Sequence, residues 1–318
     1  MSGGSGGVGN VGGSGGSGTG GTGGVSPTLE LKGPVERGGE LVLEFGDTYV
    51  SIRPSLGGRV TSLRQAGTEI LAGPAIHPDN WGSTYWTSPQ SDWDWPPVAA
   101  IDNEPYQATV TGPSVSLSSA PADVGEEVGG KNVTVQKRFT ADLVREAIDV
   151  EYTLTNVGSS AISLASWEIS RVPGGGLTFY PTGDQELTPI APHEALPVTH
   201  LNQITWFDGA SFSTGQNSKL NADGKGGWLA HVAGGVLFLK TFTDLPVSSQ
   251  VPGEGEVEIY AHGTGSYVEV ENQGPAVTIQ PGASSTYGVT WLVRKVPAGV
   301  TVAVGSDTLV SFVESLLE

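Results

Sequence analysis

Hydrophobic and polar residues alternate in short runs along most of the chain, and helical periodicity is nearly absent. The alternation is longest over 132–140 and 147–156, as expected of antiparallel strands that bury one face. Turn-forming pairs such as Asp223-Gly224 separate the runs. The pattern predicts strands over 41–45, 49–52, 59–64, 68–71, 132–140, 147–156, 163–172, 228–232, 236–242, 257–261, 267–271 and 286–293.

A helical pattern is found at the C-terminal stretch. Ser306 or Asp307 can cap it. Its apolar stripe consists of Leu309, Val310, Phe312, Val313, Leu316 and Leu317. The sequence therefore predicts an all-β fold, mostly antiparallel, with a short C-terminal helix. No internal repeat or change of composition divides it, so we expect one domain over 28–318.

The first 27 residues are almost entirely Gly, Ser, Thr and Val. Such a tract buries too little apolar surface to offset the entropy of ordering, which predicts a flexible tether over 1–27. It resembles the segment after the lipidated cysteine of bacterial surface lipoproteins, with the signal and the cysteine removed, and the alternative is an added linker. The first interpretation implies a lipid anchor in the native precursor and a periplasmic or extracellular location.

Charge and composition exclude several classes of function. The net charge of −18 argues against nucleic acid and against an anionic membrane surface as partners, because both reward clustered Lys and Arg. The chain has no cysteine, which excludes disulfides and thiolate metal sites. No apolar run approaches the ~20 residues that a membrane span needs. We predict neither a cofactor nor a metal ion.

Residues 80–97 hold half of the eight tryptophans: Trp81, Trp86, Trp93 and Trp95. Prolines and a glycine interrupt this segment, so we interpret it as an ordered loop. Carboxylates and amides lie between the indoles, an arrangement that suits a sugar, whose C–H faces stack on indole while its hydroxyls need donors and acceptors. The alternative is that the rings fill a core or cap the open end of a β-sandwich.

Paired carboxylates in predicted strands are the candidates for acid/base chemistry. Period-2 geometry puts Glu269 and Glu271 on one strand face, about 7 Å apart, with Val268 and Val270 on the other face. Mutual repulsion can raise the pKa of one of them and make it a usable acid or base, and the alternative is an exposed polar face.

Other carboxylates and histidines have simpler interpretations. Glu256 and Glu258 share the alternating pattern, and we expect them at the surface. Glu168 stands among apolar residues of a central strand and needs a cationic partner, for which we predict Arg171 or Arg59.

The five histidines are scattered, and no nucleophile elbow, phosphate-binding loop or zinc-protease motif is present. His231 is interpreted as a core residue, and a metal site at His193 and His200 has no supporting motif. His77, just before the aromatic segment, is the candidate proton carrier.

Four short segments, in the required order, resemble the galactose mutarotase-like superfamily. Residues 52–71 resemble its opening hairpin, with a glycine pair before a strand that ends in Gly-x-Glu-x-Leu. Residues 150–156 resemble its Tyr-x-Leu-Thr-Asn strand, and 267–271 with 279–282 resemble its last catalytic strand and the following Pro-Gly turn. The resemblance implies a β-supersandwich with a sugar site on its concave face, close to Arg59.

Within that superfamily, residues 86–97 resemble bacterial proteins described as domain-of-unknown-function 4380. In aldose 1-epimerases, a histidine and a glutamate open and close the pyranose ring. The resemblance places Glu269 or Glu271 at the glutamate, whereas Trp167 or Glu168 stands where the histidine is expected. An indole cannot carry a proton, although Glu168 can.

Three functions follow as hypotheses. The first is a carbohydrate-active enzyme of the epimerase, lyase or hydrolase type, the second a non-catalytic glycan-binding protein of the cell surface, and the third a structural module with a buried Trp plug. The predicted catalytic residues are Glu168, Glu269, Glu271 and His77. The predicted substrate-binding residues are Arg59, Trp86, Gln90, Trp93, Trp95, Asp102 and Arg171.

Overall fold

The computed structural model describes Met1, Gly3 and residues 29–125, 130–187 and 192–317. Apart from Met1 and Gly3, the predicted tether over 1–27 lies outside the described residues. Over the described ranges, no helix is long and apolar enough to cross a membrane.

The described chain is dominated by β-strands, which are numbered here in chain order. They are β1 Leu31–Arg37, β2 Glu40–Phe45, β3 Thr48–Arg53, β4 Arg59–Gln65, β5 Thr68–Glu69, β6 Ser83–Ser88, β7 Gln107–Thr111, β8 Ser114–Ser118, β9 Ala122–Asp123, β10 Asn132–Asp142, β11 Ala147–Asn156, β12 Ile162–Pro173, β13 Leu177–Leu187, β14 Glu194–Ala195, β15 Thr199–Leu201, β16 Ile204–Asp208, β17 Ser218–Gly224, β18 Trp228–Ala233, β19 Val236–Phe242, β20 Val257–Ala261, β21 Tyr267–Gln273, β22 Val277–Ile279 and β23 Ser284–Lys295. The all-β prediction is confirmed.

Two α-helices complete these elements, α1 Ala99–Asp102 and α2 Asp307–Glu314. Helix α2 is the predicted C-terminal helix: Ser306 Oγ accepts the Leu309 N–H at 3.2 Å, and Leu309 and Val313 are buried against the strands. Three short 3₁₀ turns occur at Gln90–Asp92, Gly209–Ser211 and Val247–Ser249.

The strands form two antiparallel layers that enclose the main core. The front sheet runs β1-β2-β3-β4-β6-β12-β21-β20-β17, and the back sheet runs β7-β8-β10-β11-β23-β19-β18-β13-β16-β15. Strand β13 belongs to both, because its first half pairs with β16 and β18 and its second half with β17. Between the layers, Leu63 of the front sheet shares a core with Val135, Val150 and Trp291 of the back sheet.

Every predicted strand coincides with an observed one, although 68–71 shortens to Thr68–Glu69. The interpretation of 80–97 as loop is wrong for Ser83–Ser88, which form β6 between β4 and β12. All six residues of β6 are buried. A strand covered on both faces shows no alternation of polar and apolar residues, and this is why the pattern did not reveal it.

Candidate functional site

Cross-strand neighbours on the outer face of the front sheet form rows of functional side chains. Strands β6, β12, β21, β20 and β17 lie side by side, and residues paired across them point to the same face. One row contains Arg171, Glu269, Tyr260 and Lys219. The adjacent row contains Glu271, Glu258 and Asn221. Beside these rows, Trp86 of β6 is paired with Trp167 of β12. The opposite face of β21 carries Val268 and Val270 into the core, as the sequence predicts.

A cleft of about 780 Å³ lies over these rows. Its walls come from connections around residues 77–80, 89–95 and 252–254. Five of the predicted site residues line it: His77, Trp86, Gln90, Trp95 and Glu269. Glu168, Glu271, Arg59, Trp93, Asp102 and Arg171 are not among its lining residues.

The indoles of the cleft form a cluster that is buried at its base and open at its rim. Trp86 and Trp167 are 6% and 1% exposed, with ring centroids 5.3 Å apart. Trp93 packs 5.7 Å from Trp86 and donates its indole N–H to the Thr87 carbonyl at 2.9 Å. Trp95 is 55% exposed and touches the cluster through Trp86, 6.0 Å away. Within the segment of the buried-plug hypothesis, Trp81 and Trp86 are buried, at 8% and 6% exposure, whereas Trp95 is not.

Arg59 and Asp102 support Trp86 from below. The Trp86 indole N–H donates to Asp102 Oδ1 at 2.8 Å, and Arg59 Nη2 donates to Asp102 Oδ2 at 3.1 Å. Arg59 also lies 5.0 Å from the Trp81 ring centroid. Both members of the ion pair are buried, so they position the aromatic wall from outside the cleft.

Glu269 is held at the cleft floor by a buried guanidinium. Arg171 Nε lies 2.6 Å from Glu269 Oε1, and Arg171 Nη1 donates to Thr84 Oγ1 at 2.8 Å. The guanidinium also stacks on Trp86 at 5.1 Å. Arg171 is 1% exposed and Glu269 is 8% exposed, so the carboxylate, not the guanidinium, reaches the cleft.

The carboxylates of the next row are buried under the cleft. Glu271 Oε2 accepts the Trp167 indole N–H at 2.8 Å, and burial raises the pKa of Glu271 well above its usual value, against the opposing effect of Lys219. Lys219 Nζ lies 2.5 Å from Glu258 Oε2 and 4.9 Å from the Trp167 ring centroid. Burial raises the pKa of Glu258 to about 7, again against Lys219.

The prediction that Glu256 and Glu258 lie at the surface is wrong, because both are fully buried. Glu256 Oε2 accepts the Leu245 N–H at 2.8 Å, and burial raises its pKa to about 8. The alternating pattern shows that Glu256, just before β20, and Glu258, within it, share one face. It does not show that the loop carrying Leu245 covers Glu256, or that Glu258 is buried under the floor of the cleft.

Glu168 lies between the two sheets. Lys240 Nζ and the Trp291 indole nitrogen approach Glu168 Oε1 at 2.8 and 2.9 Å, and Glu168 is fully buried. The predicted partners, Arg59 and Arg171, are therefore wrong. The reason is strand geometry, since residues three apart in β12 point to opposite faces and Arg171 is thereby directed to the cleft side.

Histidines and tyrosines form a further part of the cleft lining. His77 Nδ1 accepts the backbone N–H groups of Asn80 at 2.9 Å and Asp79 at 3.3 Å, which leaves the ring proton on Nε2. The His262 ring stacks on Tyr267 at 5.1 Å and lies 5.9 Å from His77. Burial and the neighbouring His77 lower the pKa of His262.

Sequence reasoning missed His262, Tyr260, Tyr267, Lys219 and Asn221, all of which line the cleft. Tyr260 could have been found, because it alternates with Glu258 along a predicted strand. The same holds for Tyr267, which alternates with Glu269 along the predicted strand 267–271. The other three required knowledge of the strand order. His231, interpreted as a core residue, is 3% exposed, bonds Thr178 Oγ1 at 2.9 Å, and has a pKa that burial lowers to about 4.

The fold is similar to that of several solved structures. A galactose mutarotase-like protein from Lactobacillus casei matches with a TM-score of 0.58 and 12% identity over 80% of this chain and 100% of that one. A putative aldose 1-epimerase from Escherichia coli K12 matches with a TM-score of 0.55 and 12% identity, covering 81% and 99% of the two chains. A galactose mutarotase-like protein from Clostridium acetobutylicum matches with a TM-score of 0.54 and 10% identity, covering 85% and 100%.

The chain therefore has the galactose mutarotase-like β-supersandwich fold, as its sequence motifs predict. No protein-family model matches the chain, and no curated protein is similar to it in sequence. At 10–12% identity, the structural similarity establishes the fold class alone. The function is therefore inferred from the residues of the cleft.

Proposed function

We propose that the cleft binds a saccharide. The observation that carries this proposal is Trp95, a large indole that is 55% exposed at the rim of a cleft lined by carboxylates, amides and imidazoles. An exposed indole next to convergent polar groups suits a ligand with apolar C–H faces and many hydroxyls. The galactose mutarotase-like fold is consistent with such a ligand.

For the chemistry, we propose an epimerase-type enzyme in which Glu269 is the general base. The His77 Nε2–H group, on another wall of the same cleft, is the matching donor. A base that takes a proton from a sugar hydroxyl and an acid that protonates the ring oxygen together break the ring C–O bond. The alternative hypotheses of lyase and hydrolase chemistry use the same two groups.

The second candidate is a glycan-binding protein without catalysis. It is favoured by the burial of Glu168 and Glu271, two of the three carboxylates expected to act as acid or base. It is also favoured by the lack of a histidine where the family resemblance calls for one, a position that Trp167 or Glu168 takes in this sequence. Both candidates share the same saccharide cleft and differ in whether a product forms.

The proposal also includes a protein group and a cellular location. The segment over residues 86–97 supports membership of the domain-of-unknown-function 4380 group. A lipid-anchored protein of the periplasm or the cell surface is proposed from the composition of residues 1–27 alone.

Intrinsic tryptophan fluorescence, titrated with a panel of monosaccharides and soluble polysaccharides, tests the proposal. We expect a saturable shift for the wild type. Trp95→Ala should weaken binding about fivefold, the equivalent of about 1 kcal/mol for one aromatic contact. The control is Val144→Ala, which removes a 94% exposed apolar side chain from the tip of the hairpin between β10 and β11.

Absence of a shift with every sugar, or equal affinities for the wild type and Trp95→Ala, would contradict the saccharide cleft. Proton NMR of each binder then separates the two candidates. Accelerated exchange between anomers, or a new product, identifies the enzyme. An unchanged spectrum of a bound sugar identifies the binding protein.

A further inference from the structure

The positive charges near the cleft are directed into the protein. Lys219 lines the cleft, but its ammonium is 2.5 Å from Glu258 and lies over the Trp167 ring, with 14% of the side chain exposed. Arg171 is 1% exposed and forms an ion pair with Glu269. His77 Nδ1 is occupied by the backbone N–H groups of Asp79 and Asn80.

The negative charges, in contrast, are on the cleft surface. Among the described lining residues, four carboxylates, those of Asp79, Asp94, Glu254 and Glu269, stand against one ammonium, that of Lys219. Asp79 and Asp94 are exposed, and over the described ranges neither carboxylate has a hydrogen bond or a salt bridge, although Asp79 interacts electrostatically with the buried Arg59. Glu254 is fixed from behind, because its oxygens accept from Ser88, the Gln90 N–H and Gln273.

A polar side chain on the cleft floor also lacks a partner. Asn221 is 6% exposed and lines the cleft from β17. Its amide forms no hydrogen bond with any described residue, although a buried amide normally has one. The cleft floor thus presents an amide donor and acceptor that a ligand can satisfy.

Building on the proposed saccharide function, we infer that the cleft selects sugars by charge. It favours saccharides with a free, protonated amine over neutral ones and excludes uronates and sulfated or phosphorylated sugars. Asp79 and Asp94 supply the attraction for an ammonium group, and Asn221 contacts the ligand irrespective of its charge. Among the described residues that line the cleft, an anionic sugar meets no unpaired Lys or Arg side chain, and the carboxylates of the rim repel it.

Three sugars of one shape but different charge test the inference. Cellotriose is neutral, the glucosamine trimer is its 2-amino analogue, and the trimer oxidised at C6 is its anionic analogue. The matched monosaccharides galactose, galactosamine and galacturonate form a second set. Calorimetric titration is done at about pH 6, where an amine of this type is protonated.

We expect the amine to bind about threefold to tenfold more tightly than the neutral analogue in dilute buffer, and the anion at least about tenfold more weakly. The preference should shrink in about 0.5 M salt because screening shortens the reach of the rim charges. The double variant Asp79→Asn/Asp94→Asn should bring the amine-to-neutral ratio close to one. Asn221→Ala should weaken all three probes by a similar factor.

Asp47→Asn is the control for loss of a carboxylate outside the cleft, since Asp47 lies in the exposed turn between β2 and β3, away from the cleft lining. It should leave the amine-to-neutral ratio unchanged. If neutral sugars bind but the amine is no tighter, or the anion binds equally well, the charge selection is wrong while the saccharide cleft stands. If no member of either set binds, both fail together.

Discussion

Among the three glutamates proposed for acid/base chemistry, Glu269 alone lines the cleft. Its neighbour two residues on, Glu271, lies on the same strand face but under Trp167, and Glu168 lies between the sheets. Period-2 reasoning correctly put Glu269 and Glu271 on one face. It could not show that an indole from β12 covers the second of them.

Glu269→Gln should abolish any anomer exchange that the wild type catalyses, because an amide cannot take up the proton. The amide still accepts the hydrogen bond of Arg171, so the variant should fold and still bind sugar. Loss of turnover of at least about a hundredfold is expected from removal of a general base. Saturation-transfer NMR of the sugar anomers measures it.

Glu151→Gln is the control, because Glu151 is an exposed carboxylate on the back sheet. Turnover by Glu269→Gln equal to that of the wild type would refute the role of Glu269 as the base.

At the scale of the elements, the short helix α1 fixes the aromatic wall. Its Asp102 holds the Trp86 indole, and the chain at Gly57 packs directly against it. Gly57 has φ +62°, and a Cβ built there would lie 1.8 Å from the Asp102 carbonyl oxygen. The neighbouring Gly58 has nearly the same backbone angle, φ +60°, but its nearest contact would be an ordinary 3.5 Å.

This pair of glycines gives a matched experiment. Gly58→Ala should lower the free energy of unfolding by about 1–2 kcal/mol, because an alanine is strained in the left-handed backbone conformation. Gly57→Ala carries the same penalty and must also displace α1, so it should be less stable still and should weaken sugar binding at Trp86. Urea unfolding and fluorescence titration measure the two effects, and equal behaviour of both variants would show that α1 does not position the wall.

The alternation of polar and apolar residues also determines which strands can be predicted from the sequence. Long half-buried strands such as β10 and β11 are predicted correctly, because their residues alternate between a buried and a more exposed face. Strand β6 was missed, because burial on both faces removes the alternation. The cleft rows depend on which strands are neighbours, and nothing in the local pattern around Lys219 or His262 specifies that order.

For the whole molecule, buried carboxylates make stability depend on pH. Burial raises the pKa of Glu256 from 4.5 to about 8, with Asp244 and Asp223 adding to the shift. Between these values the folded protein keeps a proton that the unfolded chain has lost. The stabilising contribution of Glu256 is therefore complete below about pH 4.5 and is lost as the pH rises through about 8.

Glu256→Gln isolates this contribution from other titrating groups. The unfolding free energy of the wild type minus that of the variant should decrease as the pH rises from about 5 to about 8. Urea denaturation at several pH values measures the difference, and Glu30→Gln, at an exposed glutamate, gives the baseline. A difference that stays constant or increases with pH would contradict the buried, protonated state of Glu256.

The cleft unites segments that are far apart in the chain. Asn80 donates to the Tyr267 hydroxyl at 3.1 Å across 187 positions of sequence, and Trp86 pairs with a strand that in turn pairs with β21. Contacts of such separation slow folding, since a long loop must close before any of them forms. During synthesis, the first half of this binding surface emerges from the ribosome long before the second, and a ligand can stabilise the protein only after β21 has docked.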